Sequence, residues 1–239
     1  MTRPDLDDIV TRAQCVIGLL VRTQIEEQLA VDPTRAQSWS RALERLEAWL
    51  DHECLHPTLV PEERALLGAK WGAWSLDDVS TAAWRIEGLA TLFYALGRLP
   101  RPDDFVEPVV PDGVYVTPSL LPPRAEIESG AVLRPSEELE LFRRVAGVWR
   151  WRARTELLHR RGASPTTGEP YQAMVQRAAE RAGAANLVSV VTGDFAVEGR
   201  PFADISETAL RTLASVALER GRAIDWLCGR APWDAPSEL

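Results

Sequence analysis

The longest stretch of nearly continuous apolar character covers residues 82–96. Apolar side chains occur there on almost every helical face, and only Arg85 and Glu87 carry charge. A helix that is apolar all round has to be covered on all sides. At about fifteen residues the stretch is shorter than the roughly twenty residues that span a bilayer. The pattern therefore predicts a central core helix, with Ser80 as its N-cap and Gly97 as its C-terminal stop.

The other helical segments show apolar positions on one stripe only, which is typical of amphipathic helices. This spacing predicts helices over residues 5–30, 61–68, 136–161, 171–182 and 206–229, and a further helix that begins at Pro33 and is ended by Pro57. In the helix 136–161, Phe142 and Trp149 mark the buried stripe, and Arg152 falls on or beside it. In the last helix, Gly221 indicates a close approach between helices, because a helical glycine costs roughly 1 kcal/mol relative to alanine.

Residues 98–135 lose the helical spacing and contain eight prolines. Proline interrupts helices because it lacks a backbone N–H and clashes with the preceding turn. Apolar anchors such as Phe105 and Val109 favour an ordered strap lying across the helices over a disordered linker. Residues 114–116 are the candidate for a short edge strand within this strap.

Residues 187–205 predict a small β-hairpin followed by a loop, because β-branched residues flank the turn sequence Thr-Gly-Asp. No internal repeat divides the chain. The sequence therefore predicts an all-α fold, with residues 1–239 as one mostly helical domain that carries the strap and the hairpin.

The chain has 27 basic and 35 acidic residues, which gives a net charge of −8. That sign argues against nonspecific binding to nucleic acid or to anionic membranes. Lys70 is the single lysine, and the excess of arginine is typical of a GC-rich bacterial genome. Neither a nucleic-acid partner nor a membrane partner is expected.

The three cysteines are Cys15, Cys54 and Cys228. Their odd number and wide spacing indicate neither a disulfide framework nor a metal knuckle, and we expect small buried thiols in a reducing compartment. The N-terminus lacks a basic region followed by an apolar one, so a cytoplasmic location is expected. No glycine-rich phosphate loop is visible, and no cofactor is predicted.

Residues 52–56 match the H-E-x-x-H pattern of zinc hydrolases, in which two histidines on one helical face bind the metal. Here Pro57 follows directly, which places His56 at or beyond the helix end. A third ligand is also required, and the one remaining histidine, His159, lies far away in the sequence. We interpret the match as accidental and expect no metal site, with a zinc hydrolase using His52 and His56 as a remote alternative.

Four segments carry a resemblance to a known family. They are Trp84-Arg-Ile-Glu-Gly-Leu89, Trp149-Arg-Trp-Arg-Ala-Arg-Thr155, Gly193-Asp-Phe-Ala-Val-Glu-Gly-Arg-Pro-Phe202 and Glu219-Arg-Gly-Arg-Ala-Ile-Asp-Trp-Leu-Cys-Gly229. With these segments in this order, the chain resembles a bacterial family catalogued as domain of unknown function 4272. The family usually has histidine at the position of Arg150 and asparagine at that of Asp225. The resemblance implies no particular activity, since the family has none assigned.

These segments supply the candidate functional residues, which we predict to meet in one buried network: Trp84, Glu87, Trp149, Arg152, Glu219, Arg220 and Trp226. Because an unpaired buried charge is costly, Arg152 should pair with a carboxylate such as Glu87, Glu156 or Glu219.

The network leaves two functions open. The first is a noncatalytic binding or interaction protein, with a protein partner or a second copy in a homodimer. The alternative is an enzyme or a binder of small anionic ligands, with a pocket near Glu87, Arg152, Glu219 and Arg220. A dry, fully paired network would favour the first function, and a water-accessible cavity lined by these side chains would favour the second.

Overall fold

The computed structural model describes residues 2–32, 34, 36–109, 121–165 and 168–235. The helices in these ranges are α1 (Leu6–Val31), α2 (Ala36–His52), α3 (Pro61–Leu67), α4 (Leu76–Ala83), α5 (Arg85–Ala95), α6 (Arg124–Glu128), α7 (Ser136–Arg160), α8 (Tyr171–Ala184) and α9 (Glu207–Leu227). The strands are β1 (Val190–Val191), β2 (Asp194–Val197) and β3 (Arg200–Pro201). They form a small antiparallel sheet in the order β1-β2-β3. The predicted mostly α-helical fold is therefore confirmed.

Helix α5 occupies the centre, as the apolar stretch predicts. It packs against α1 and α9, and α9 in turn packs against α7. Leu89 and Leu92 of α5 are completely buried. Tyr94 contacts Phe142 of α7 edge to face, with 5.5 Å between ring centroids. None of the described helices combines the length and the apolarity that crossing a membrane requires.

The predicted start of the central helix is wrong. Residues 76–83 form the separate helix α4, whose N-cap is Ser75 rather than Ser80. The Ser75 side chain accepts from the Asp78 backbone N–H, and the Asp78 carboxylate accepts from that of Ser75. This reciprocal capping box is a stronger start signal than a lone serine. The chain then breaks at Trp84, which ends α4 and precedes α5.

The strap is ordered over the residues that the structure describes. Phe105 is buried in the core, with 1% of its surface exposed. Arg98 donates to the backbone carbonyls of Glu126, Ile127 and Ser129, and thereby holds the end of the short helix α6. Residues 110–120, including the predicted strand at 114–116, lie outside the described residues.

The predicted hairpin is present and is extended by a third strand. Two-residue turns join the strands, and both central residues of each turn have positive φ: Thr192 (46°), Gly193 (79°), Glu198 (50°) and Gly199 (77°). This is the conformation of the type I′ turn, whose twist matches that of paired strands. The second Xaa-Gly pair produces the third strand, at a place where the sequence pattern predicts a loop.

Gly221 makes room for a side chain from the neighbouring helix. A Cβ atom there would lie 3.2 Å from Nη1 of Arg150 on α7. Arg150 passes over this position and donates to Asp225 at 3.0 Å. The predicted close approach is confirmed in this form, with an arginine side chain packed against the helix backbone.

The three cysteines differ in exposure. Cys15 is buried, Cys228 is half-buried, and Cys54 is exposed. The prediction that all three are buried is therefore wrong for Cys54, which stands in the turn after α2 with a φ of 55°. Burial raises the pKa of Cys15, and burial raises the pKa of Cys228 to about 11.

We predict that iodoacetamide at pH 8 alkylates Cys54 at least tenfold faster than Cys15 or Cys228. The thiolate is the reacting species, and a thiol with a pKa of about 11 is roughly 0.1% ionised at pH 8. Peptide mass spectrometry over time measures the three rates separately. The Cys54→Ser variant should stay unlabelled during the fast phase, and rapid labelling of Cys228 would contradict the assigned burial.

We predict that Gly97→Ala destabilises the fold by about 2 to 3 kcal/mol. Gly97 has a φ of 70°, and an added Cβ would lie 2.7 Å from the Val132 carbonyl oxygen. Gly130→Ala is the matched control, because Gly130 has a φ of 74° but no atom within 4 Å of the added Cβ. It should cost only about 1 kcal/mol in urea unfolding. Equal losses for the two variants would show that the contact with Val132 contributes nothing.

Candidate functional site

Arg152 lies on the buried side of α7, with 1% of its surface exposed. Its Nε and Nη2 donate to the two carboxylate oxygens of Asp194, each at 2.7 Å, and its Nη1 donates to Glu156 at 2.9 Å. The predicted pairing with a carboxylate is confirmed for Glu156. Asp194, the stronger bidentate partner, was missed because its position depends on where the sheet packs, which no local pattern shows.

The two carboxylates around Arg152 differ in the hydrogen bonds they can still accept. Asp194 also accepts from the backbone N–H groups of Phe195 (2.7 Å) and Ala203 (3.0 Å), so each of its oxygens accepts two hydrogen bonds. On Glu156, one oxygen accepts from Arg152 and the other from Arg160 (2.8 Å). A carboxylate has about four acceptor positions. Asp194 is therefore saturated among the described residues, whereas Glu156 keeps acceptor capacity.

These charged groups form one wall of a cavity between α7, α8 and the sheet, which we call the α7–α8 cavity. Its volume is about 320 Å³. Side chains that also line it include Thr155, His159, Tyr171, Gln172, Val175 and Pro201. The rings of His159 and Tyr171 contact each other, with 4.9 Å between centroids. The size and the mixture of apolar and polar groups are those of small-molecule sites.

Glu87 and Arg220 form a second, fully buried ion pair between α5 and α9. Their closest approach is 2.7 Å, and their exposed fractions are 0% and 1%. Arg220 also donates to the carbonyl oxygens of Pro102 and Asp104, and Glu87 accepts from the backbone N–H of Val109. Burial lowers the pKa of Arg220, and Glu87 opposes that shift. This pair fastens the strap to the core.

Glu219 stands next to Arg220 in the sequence but has a different partner. Arg85 of α5 donates to it at 3.2 Å and also to Glu62 of α3 at 2.7 Å. Burial raises the pKa of Glu219, and Arg85 opposes that shift. Arg85 and Glu62 were not among the predicted site residues. They could have been found only by knowing that Glu62 of α3 comes within reach of arginines on α5 and α9.

The three candidate tryptophans do not share one neighbourhood. Trp149 stacks on Phe105 with 5.7 Å between ring centroids, and Trp226 contacts Trp233 edge to face at 5.6 Å. Trp84 is partly buried at the junction of α4 and α5. Trp149 and Trp226 therefore have different aromatic neighbours among the described residues, because phenylalanines from the strap and the sheet fill the space around Trp149.

Four of the seven candidate residues are nevertheless connected through two of these phenylalanines. The guanidinium of Arg152 lies 4.3 Å from the ring centroid of Phe202, and that of Arg220 lies 4.9 Å from the centroid of Phe105. Trp149 contacts both rings. An aromatic stack thus separates the two buried arginines and covers one face of each, while Glu87 neutralises Arg220.

The H-E-x-x-H segment does not form a zinc site. His52 is the last residue of α2, and His56 begins a separate 3₁₀ turn, so the two do not share a helical face. Glu53 instead accepts from the Gln14 amide (2.8 Å) and from the Arg124 backbone N–H (3.2 Å). No group of three histidine, cysteine or acidic side chains among the described residues could hold a metal ion.

Comparisons with protein-family models, with curated proteins and with solved structures gave no match. The paired, buried network and the cavity, which the sequence left open as alternatives, both occur, in different parts of the fold. Glu87, Glu219 and Arg220 belong to buried, paired clusters, whereas Arg152 lines a cavity.

We predict that Glu87→Gln destabilises the protein by about 3 to 5 kcal/mol, because Arg220 would remain buried without its counter-charge. Urea unfolding measures the loss. Glu198→Gln is the control, because its pair with Arg200 is more than half exposed and should contribute less than about 1 kcal/mol. A loss at Glu87 as small as at Glu198 would contradict a structural role for the buried pair.

Proposed function

We propose that this protein is a noncatalytic binding protein that holds a small molecule in the α7–α8 cavity. The observation that carries the proposal is the remaining acceptor capacity of Glu156 at the cavity wall, beside a saturated Asp194. An acceptor fixed by two arginines presents a defined position to a ligand donor. It requires little reorganisation on binding, which favours affinity.

The charge balance of the wall indicates the ligand class. Arg152 is neutralised by two carboxylates, so an anion in the cavity would lie beside Asp194 and Glu156, and the described lining residues include no arginine or lysine other than Arg152. An uncharged or cationic molecule with N–H or O–H donors fits better. We therefore propose a ligand of that class, such as an amine, an amidine or an amide, in place of the anion considered from the sequence.

The same hydrogen bonds leave Asp194 unable to act as a general base. A general base needs an acceptor position directed toward the proton that it removes. Asp194 has none left, because it accepts four hydrogen bonds from protein groups. The charged groups at the cavity wall thus hold the sheet on α7, and the ligand meets a rigid surface.

We also propose membership of the family catalogued as domain of unknown function 4272, in a bacterial cytoplasmic setting. What supports it is that the four resembling segments are joined to one another in the fold. The joining ion pairs are Glu87–Arg220, Arg152–Asp194 and Arg150–Asp225. The free cysteines and the arginine-rich composition support the setting.

We predict that cationic or neutral donor molecules raise the melting temperature and that carboxylates and phosphates of similar size do not. At a ligand concentration of 100 times Kd, binding adds about 2.7 kcal/mol, which corresponds to roughly 5 to 10 °C for a chain of this size. A thermal-shift screen with amines, amidines, amides and nucleosides finds the active class, and calorimetry then measures Kd.

The Ala203→Leu variant locates the site. Ala203 is exposed at the cavity and uses only its backbone groups in hydrogen bonds, so the larger side chain fills the space without breaking the network. It should weaken binding at least tenfold. Ala173→Leu on the exposed side of α8 is the matched control and should bind like the original protein. A preference for anions, or binding unaffected by Ala203→Leu, would refute the proposed site.

A further inference from the structure

A second depression lies between α7 and the C-terminal half of α8, and we call it the α7–α8 groove. Its volume is about 320 Å³, and its apolar side chains are Val148, Trp151, Leu187 and Phe195. Trp151 is only half-buried and contacts Phe195, with 6.5 Å between ring centroids. The groove therefore offers an aromatic surface that the described part of the chain does not cover.

Small residues give the groove its depth. Gly147 of α7 faces Ala178 and Ala182 of α8 across it. A Cβ atom added to Gly147 would meet no atom within 4 Å, so the space above this residue is open. A gap of this kind accommodates a large apolar side chain from another molecule, as in the pockets that receive binding hot spots.

Two exposed arginines line the groove. Arg144 belongs to α7 and Arg181 to α8, and neither forms an ion pair with any described residue. Their neighbours on the same helices behave differently: Arg143 donates to Glu140 at 2.7 Å, and Arg177 donates to Glu169 at 2.7 Å. Positive charge without an ion pair on both sides of an apolar groove, in a chain with net charge −8, favours acidic partners.

We infer that the α7–α8 groove docks an acidic segment of a partner protein. One large apolar side chain of that segment fills the space above Gly147, and carboxylates on either side of it pair with Arg144 and Arg181. This combination of a central apolar anchor and a charged rim is the usual anatomy of a helix-in-groove interface. The inference is independent of the ligand proposed for the α7–α8 cavity, which has different lining residues.

The test measures binding of short fluorescein-labelled amphipathic peptides to the full chain by fluorescence polarisation. Each peptide carries one tryptophan or leucine anchor flanked by glutamates. Matched peptides have lysine in place of glutamate, or serine in place of the anchor. The glutamate peptides should bind, and both changes should weaken binding at least tenfold. Added salt should weaken the glutamate peptides as well, because the rim charges are exposed.

Three protein variants assign the binding to the groove. Gly147→Leu fills it and should fold well, because leucine favours a helix more than glycine does. Arg144→Glu with Arg181→Glu reverses the rim charge. Arg41→Glu with Arg45→Glu on α2 is the control, because both residues are exposed, form no ion pair with a described residue and give the same change in net charge. The groove variants should lose at least tenfold in affinity, and the control should stay within twofold.

Equal binding of lysine and glutamate peptides would overturn the inference, as would binding that Gly147→Leu leaves unchanged. Failure of every glutamate peptide to bind at millimolar concentration would overturn it too. Light scattering tests the other possible occupant of the groove, a second copy of the chain. A dimer that Gly147→Leu dissociates would show that the groove binds this second copy, and it would overturn the inference of an acidic partner. The Ala203→Leu variant should bind the peptides normally, because Ala203 lines the α7–α8 cavity and not the groove. This variant therefore distinguishes peptide binding in the groove from ligand binding in the cavity.

Discussion

A guanidinium group removed from water has to be neutralised and hydrogen-bonded, and the three most deeply buried arginines of the described residues each meet this requirement. Arg22, Arg152 and Arg220 are each about 1% exposed, and each pairs with a buried carboxylate. Each ion pair then uses its remaining atoms on the backbone of a segment outside the α-helices. The backbone groups reached are those of Ala69 and Gly72, of Phe195 and Ala203, and of Pro102, Asp104 and Val109. Losing one partner would therefore leave a buried charge and also release a loop, so these pairs specify the path of the chain between helices.

This use of charge explains why the arginine-rich helix α7 borders a cavity without presenting an unpaired Arg152 to it. The guanidinium of Arg152 binds Asp194 and thereby holds β2 on α7. At the cavity wall, Glu156 is the group that can still accept a hydrogen bond. The sequence alone would suggest a positively charged wall that binds anions, because it shows seven arginines between residues 143 and 161 and does not show their partners. The partners come from elements that are distant in the chain, and they decide what the surface can bind.

The difference between local patterns and contacts from distant parts of the chain also determines how much of the structure the sequence predicts. Apolar periodicity placed α7, α8 and α9 to within a few residues, and it placed Arg152 on the buried stripe, because both follow from local repeats. It missed the break at Trp84, and it missed Asp194, which reaches Arg152 only after the sheet has packed on α7. Which rings meet depends on the rotation of each helix and on Phe105 from the strap, and neither is encoded within one helix.

The two openings lie at the two ends of the contact between α7 and the lightly buried helix α8. Among the described residues, α9 buries eleven side chains or glycines against its neighbours, whereas α8 buries only Val175, Ala179 and Ala182. Alanines pack close to α7 but do not fill the space at either end of the contact. The cavity therefore opens beside the first half of α8 and the groove beside the second half. Helix α7 is held by α9, by the strap through Trp149 and by the sheet through Arg152, so it provides a fixed wall for both. A molecule in either opening meets a rigid α7 on one side and the less firmly packed α8 on the other.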